Sequence, residues 1–315
     1  MKRRKVIIDC DPGVDDGVML ALASAHQDQL EILGITTVCG NQDIDKVSRN
    51  ALSLSDFFGI EAPVAKGMDR PVVREPEYAP ETHGEDGIGG CVLPETQRTE
   101  SRENGILFMQ RILKELEKEE KASIIATGPL TNVALLLRIF PETADKIREI
   151  VFMGGSLSGG NVTDAAEFNF YEDPEAARMV LQSGVPLVMC GLDVTEKCTL
   201  TRKQILKMCQ WGSPAAKLCG DMLGYCLENS SEKYRGEVSV HDAVPVMYLL
   251  YPEIFEGGHK ILDVDCSEGA ARGAVLGGFR WWKNEAEDTN VYVLTDVDKD
   301  KFQEYLITSL YELAQ

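Results

Sequence analysis

Positive charge is scarce in this chain: 32 Lys and Arg stand against 51 Asp and Glu, a formal net charge of −19 over 315 residues. Nucleic-acid and anionic-membrane partners ask for clustered cations, so the balance argues against both and favours a neutral or metal-assisted ligand. Histidine is rare as well, with four in all, and the nine cysteines contain no C-x-x-C pair. A soft-metal or dithiol redox site is therefore not indicated. An odd count of cysteines, scattered through apolar segments such as Val188-Met189-Cys190, reads as reduced, buried thiols and predicts a cytoplasmic setting. Long apolar runs are missing too, since no segment approaches the roughly 20 residues of a membrane-spanning helix. The basic start Met1 to Lys5 leads into an apolar stretch that Asp9 interrupts, too short for the core of a signal peptide. The expectation is a soluble single domain, 1–315, long enough to bury a large core.

What the chain does have is acid in one place. The apolar run Val6-Ile7-Ile8 empties into Asp9-Cys10-Asp11-Pro12-Gly13-Val14-Asp15-Asp16, which crowds four carboxylates into a short turn before an apolar helical stretch. Like charges a few ångströms apart repel, so such a turn asks for a cation or for substrate hydroxyls to take up its acceptors. An EF-hand loop would need Asp or Asn at Gly13, glycine at Val14 and a bidentate Glu at Leu20, and all three fail. An aspartyl-phosphate phosphohydrolase would use Asp9 as nucleophile and Asp11 as acid with Mg²⁺, and it stands as an alternative. Acids in a first helical turn are also common for dipole reasons, a bland account that suffices for Asp15 or Asp16 taken alone.

Short β-branched runs alternate with helical stretches. Lys5 to Ile8, Ile32 to Val38, Ala122 to Ala126, Glu149 to Phe152 and Pro186 to Cys190 read as buried strands. Asp15 to His26 and Asn104 to Lys118 read as helices, and Asp173-Pro174-Glu175 starts another before Ala176 to Leu181. The alternation predicts an α/β fold: an open, doubly wound, mostly parallel Rossmann-like sheet, with ligands gathered beyond the carboxyl ends of its strands. Asp9 to Asp16, Thr37 to Asn41, Thr127-Gly128-Pro129 and Met153-Gly154-Gly155 all fall at such ends. Gly67 to Arg102 is a long loop of the kind that is uncommon unless functional or disordered, and it carries His83. Ile261 to Leu276 and Asn290 to Leu294 read as strands extending the sheet, with a closing helix from Asp298.

The DxDPGxDD turn closely resembles the N-terminal signature of the nucleoside hydrolase family, metal-dependent enzymes that cleave ribonucleosides to ribose and free base. The resemblance runs nearly the full length through Gly40-Asn41-Gln42, Thr127 to Asn132, Met153 to Gly155, Glu167-Phe168-Asn169 and Val240-His241-Asp242. It implies Asp11, Asp16 and Asp242 as carboxylate ligands of a bound Ca²⁺, with the carbonyl of Thr127 as a further ligand. Calcium takes about six to eight oxygens, which leaves positions for water and for ribose hydroxyls. Hard oxygen donors without Cys or several His argue against zinc.

Cleavage of a C–N glycosidic bond passes through a ribosyl cation, so water must be positioned, charge spread over the sugar and the departing base neutralised. Asp11 is the expected general base, and His241, beside Asp242, is placed to protonate or hydrogen-bond the base. Asp15, Asn41, Asn161, Glu167, Phe168 and Asn169 are expected to bind substrate, with Met153 nearby, because most of these side chains offer acceptors or mixed donor and acceptor groups suited to a diol. His83 is expected at the ribose 5′ hydroxyl or the base when its loop closes. His26 and His259 have no motif and are assigned to surface or packing. The histidine of the VHD segment resembles the inosine-uridine or pyrimidine branch, whereas Trp211, Trp281 and Trp282 do not sit where the purine-specific branch places its tryptophans. Tyr225 matches a tyrosine of the nonspecific branch, but Asn229 replaces the tyrosine expected one turn later. Tyr234 could also reach the site, although packing is its simpler role. Uridine and cytidine are thus the expected substrates, with inosine secondary, in a homodimer or homotetramer as the resemblance implies. A nucleoside- or sugar-binding protein without turnover is the alternative of a different class.

Overall fold

The computed structural model describes residues 3–229, 236–277 and 291–313. Tyr234, Trp281, Trp282 and Asn290 lie outside the described residues. The first strand, β1 (Arg4–Cys10), pairs in parallel with both β2 (Leu30–Thr37) and β4 (Ala122–Ala126), and β3 (Val64–Lys66) extends the β2 side. On the other side follow β5 (Ile147–Met153) and β6 (Leu187–Cys190). The expected parallel, doubly wound sheet is therefore present, and up to Cys190 the expected strands and helices differ from the observed ones only at their ends.

Alternation along β1 builds both faces at once. Val6 and Ile8 enter one buried core and Ile7 the opposite one, each with none of its surface exposed. The first core packs α1 (Val14–Ala25) and α2 (Ile44–Phe57), and the second packs α4 (Gly105–Glu115), α5 (Thr131–Ile139) and α7 (Pro174–Leu181). A strand buried on both faces by helices needs a continuous apolar run, which is what Val6-Ile7-Ile8 supplies. Asn104 caps α4 by accepting from the amide of Ile106, and Asp173 caps α7 by accepting from Ala176. Both caps satisfy amides that the helix start leaves open.

Three features depart from the sequence reading. β7 (Thr199–Thr201) and β8 (Glu237–Ser239) form a separate antiparallel pair, and an unexpected strand, β9 (Phe255–Lys260), closes one sheet edge antiparallel to β12 (Val291–Val297). The segment expected to extend the sheet from Ile261 to Leu276 instead makes its own two-stranded ribbon, β10 (Leu262–Val264) with β11 (Val275–Gly277). Only β12 joins the main sheet, beside β6. The edge of β6 is taken by β12 and that of β12 by β9, while β10 and β11 pair with each other.

The long loop after β3 is held in place rather than loose. Its one regular piece is α3 (Pro80–His83), while Gln42 donates to the carbonyl of Gly84, Asn50 to that of Asp86, and Arg98 to those of Ile60 and Ala62. Among the described residues no helix is long and apolar enough to cross a membrane.

Candidate active site

The strand order places β1 between β2 and β4, so the direction of winding reverses at β1 and a crevice opens there beyond the carboxyl ends. The acidic turn leaves β1 at this crevice, and the amide of Thr127, at the end of β4, donates to the carbonyl of Asp9 at 2.9 Å. Gly13 precedes α1 and donates its amide to Asp16 Oδ2 at 2.9 Å. A side chain at position 13 would meet His83 Nδ1 at 2.5 Å and Asn41 Nδ2 at 2.6 Å, so glycine is required by crowding.

Asp15, Asp16 and Asp242 each offer a ligand atom within 4.8 Å of one another. Asp11 is not part of that trio but abuts it: Asp11 is 1 % exposed, its Oδ2 accepts from the amide of Asn41 at 2.8 Å, and its buried Oδ1 has no partner. Burial, then the charge of Asp16, pushes the Asp11 carboxyl well above its ordinary range. Burial and the charge of Asp15 raise Asp16 to about 6. Asp242 is driven up by burial and by Asp15, Asp16 and Asp11 together. Asp16 and Asp242 lie within hydrogen-bonding reach of each other, which two carboxylates tolerate only with a shared proton or a cation between them. An unpartnered buried carboxylate oxygen beside such a pair fits a hard divalent cation, and no Cys or His belongs to the trio to favour a softer one.

The neighbours hold these acids in place. The Asn41 side-chain amide donates to Asp16 Oδ2 and to the carbonyl of Asp11, both at 3.1 Å, so its two N–H groups serve the acids rather than a ligand. Thr127 donates its hydroxyl to Asp16 Oδ1 at 2.7 Å, and its carbonyl accepts from Asn169 Nδ2 at 2.8 Å, leaving that carbonyl a second lone pair. Asn169 also donates to the carbonyl of Met153 at 3.2 Å, joining the ends of β4 and β5. Glu167 caps α6 (Phe168–Glu172) through the amides of Asn169 and Phe170 and accepts from Gly155 at 2.7 Å. Burial raises its carboxyl against the pull of those amides.

These residues surround a cavity of about 510 Å³. Of the residues singled out in the sequence, Asp15, Asn41, His83, Thr127, Met153, Asn161, Glu167, Phe168, Asn169, His241 and Asp242 line it, while Asp11 and Asp16 are buried behind its wall. Asn161 is exposed, and its Oδ1 accepts from the amide of Phe168 at 3.0 Å. His83 is 8 % exposed, and its Nδ1 accepts from the amide of Val14 at 3.1 Å. That bond requires a bare Nδ1, and burial lowers the pKa of the ring, so His83 is neutral and carries its proton on Nε2.

Tyr225 departs from its expected place. It sits on α10 (Pro214–Asn229) packed over Gly89, and the α10 residues that reach the cavity are Leu223 and Cys226. Asn229 is exposed and donates to the carbonyl of Tyr225, away from the cavity. Helical spacing explains the difference, because 223 and 226 share a face that 225 and 229 do not. Tyr78, Glu81, Thr82, Glu196 and Val238 also line the cavity and carried no sequence signal. Asp9 is tied through Oδ1 to Thr36 and Asn132, held beneath the neighbouring β2 and α5. It does not line the cavity.

Comparison with known proteins agrees with this geometry. The family model for the inosine-uridine preferring nucleoside hydrolase matches residues 6–304. A pyrimidine-specific ribonucleoside hydrolase, RihB, of Escherichia coli O1:K1 / APEC is 36 % identical over 299 residues, 95 % of each chain. The solved purine-preferring ribonucleoside hydrolase from Gardnerella vaginalis superposes with a TM-score of 0.91 at 31 % identity, covering 99 % of both chains. An inosine-guanosine nucleoside hydrolase gives 0.88 at 29 % identity, again over 99 % of each. With its acids gathered at the switch point of the sheet and its whole length matched, the chain belongs to the inosine-uridine preferring nucleoside hydrolase family and is a ribonucleoside hydrolase.

Proposed function

We propose that this enzyme cleaves the N-glycosidic bond of pyrimidine ribonucleosides, uridine and cytidine first and inosine second, with calcium as its metal, Asp11 as general base and His241 as the group that neutralises the departing base. The observation that carries this reading is the unpartnered, buried Oδ1 of Asp11 beside the trio of Asp15, Asp16 and Asp242, with His241 lining the cavity that Asp15 and Asp242 also line.

Asp11, Asp16, Asp242 and the Thr127 carbonyl would hold the calcium, which when bound supplies a Lewis acid for the attacking water and a grip on the ribose diol. Asp11 Oδ1 is free to take a proton from that water, a role worth about 10²–10⁴ in rate. Asp15, Glu167 and Asn169 line the cavity with oxygens that accept from sugar hydroxyls, and Asn161, Met153 and Phe168 complete that wall. His83, with Nε2–H as its donor, suits a ribose oxygen or a base carbonyl. Asn41 serves the site by orienting Asp11 and Asp16.

The lining carries carboxylates at Asp15, Glu81, Glu167, Glu196 and Asp242 and, among the described residues, no Lys or Arg. A nucleoside suits this field and a 5′-phosphate does not. Leu223, Cys226 and Val238 form an apolar wall, and α10 places no aromatic in it on which a purine could stack, which favours the pyrimidine bases. The nine cysteines form no disulfide, which accords with a cytoplasmic setting, and assembly as a homodimer or homotetramer completes the proposal.

The test is ribose release, read by a reducing-sugar assay, from uridine, cytidine, inosine and their 2′-deoxy counterparts, with and without chelation of divalent metal. Release confined to ribonucleosides, fastest with uridine or cytidine and lost on chelation, is expected. Turnover that survives chelation would remove the metal from the mechanism. Asp11→Asn should bind ribose yet lose at least about 10²-fold in kcat, and an active variant would reassign the base.

A further inference from the structure

Thr195 belongs to no motif in the sequence and does not line the cavity. It closes α8 (Leu192–Thr195) after β6, none of its surface is exposed, and its hydroxyl lies 2.8 Å from Nδ1 of His241. We propose that Thr195 is the positioning residue of His241, its hydroxyl holding Nδ1 so that Nε2 is the nitrogen turned to the departing base. This rests on the reading of His241 as the group that neutralises that base.

An imidazole presents two nitrogens, and only one of them can face a substrate in a given orientation. A hydroxyl is both donor and acceptor, so Thr195 Oγ1 accepts from an Nδ1–H and donates to a bare Nδ1. It therefore holds the imidazolium and either neutral tautomer, whereas an amide N–H could hold only a bare Nδ1. Among the described residues no hydrogen bond engages Nε2, and His241 is half-buried with its side chain on the cavity wall.

The two chain segments that carry the hydroxyl and the ring are also fastened to each other. The amide of Thr195 donates to the carbonyl of Gly191 at 3.0 Å, and that of Cys198 to the carbonyl of Thr195 at 3.1 Å. The next link is the amide of Val240, immediately before His241, which donates to the carbonyl of Cys198 at 2.9 Å. Beyond it β7 and β8 pair, Thr199 opposite Ser239 and Leu200 opposite Val238, and the Thr199 hydroxyl donates to Glu237 at 2.6 Å. This antiparallel pair, separate from the main sheet, thus fixes the separation between Thr195 and His241. A ring whose second nitrogen is held by a rigid partner loses little orientational freedom when the reaction begins.

In the chemical step the oxygen of the attacking water bonds to C1′ as the C1′–N bond breaks, and the electron pair of the broken bond passes to the base. The imidazolium gives its Nε2 proton to that base and is left neutral, with Nδ1–H still donating to Thr195 Oγ1. Asp11 receives the proton of the attacking water, so charge and protons balance across the site.

Thr195→Val keeps the shape of the side chain and removes the hydroxyl, while Thr195→Ser keeps the hydroxyl. Both are compared with the parent enzyme on uridine and on p-nitrophenyl β-D-ribofuranoside, whose phenolate leaves without protonation. The expected result for Thr195→Val is a fall of about 10- to 100-fold in kcat on uridine, with KM changed less than about twofold and the p-nitrophenyl substrate unaffected. Thr195→Ser should recover most of the lost turnover. Equal losses on both substrates would make Thr195 merely structural, and no loss on uridine would leave the ring oriented by something else; either overturns the proposal. Should Thr195→Val fail to fold, as judged by thermal melting, Thr195→Ala and the Ser variant carry the same comparison. A parent enzyme that cleaves neither substrate overturns the hydrolase reading itself, an outcome distinct from a parent that cleaves both and a variant that loses nothing.

Discussion

Substitution of Gly40 by alanine tests whether the site depends on the exact seat of the Asp11 carboxylate. A Cβ at position 40 would lie 2.1 Å from Asp11 Oδ2 and 2.7 Å from Pro129 Cδ, more than an ångström short of ordinary contact with the carboxylate. Neither neighbour gives way easily. Asp11 Oδ2 is held by the amide of Asn41 at 2.8 Å, and the proline ring is stiff. Gly40 is not among the residues with positive φ, so the substitution introduces no backbone strain and the whole effect is steric. The carboxylate must therefore shift by roughly 1 Å, a misplacement that costs on the order of 10²-fold in rate. Overpacking adds about 1–3 kcal/mol of instability. Steady-state kinetics on uridine and calorimetric titration of calcium read the two consequences, with thermal melting to monitor the fold. Gly224→Ala is the control, because nothing lies within 4 Å of its Cβ and it sits inside α10, where alanine is neutral or stabilising by about 0.5–1 kcal/mol. A Gly40→Ala enzyme with parental kcat and calcium affinity would refute the reasoning.

The metal-free protein should lose stability as pH rises. Burial raises Asp9 to about 7 and, with the charge of Asp15, raises Asp16 to about 6, so the folded state keeps protons that the unfolded chain has already released. The stabilisation is complete below the ordinary carboxylate range and disappears as pH passes through about 6 to 7. Urea midpoints measured in chelator from about pH 5 to pH 8 should fall, and calcium should offset the fall at the upper end; a flat profile would count against the buried acids. Arg272, 2 % exposed, makes paired bonds of 3.0 and 2.9 Å to the two oxygens of Glu175, so Arg272→Ala should destabilise by about 3–5 kcal/mol in equilibrium unfolding. An unchanged midpoint would mean that Glu175 finds another partner.

Much of the fold was legible along the chain because its signals are local. A strand buried on both faces writes itself as an apolar run, and a helix start writes itself as a capping residue, as at Asn104 and Asp173. The ribbon of β10 and β11 was misread because strand propensity does not say which edge a strand will find.

By itself the sequence determined the acidic turn, its position at a strand end and the succession of motifs that mark the family, since these depend on residue type and spacing. Only the tertiary structure decided which groups meet. It turned the Asn41 amide onto the acids, left Asp11 Oδ1 without a partner, set Tyr225 against Gly89 and brought Thr195 to His241 across 46 residues of chain. Such contacts follow from the packing of distant segments, where burial and the need to satisfy each polar atom choose partners that no local pattern names.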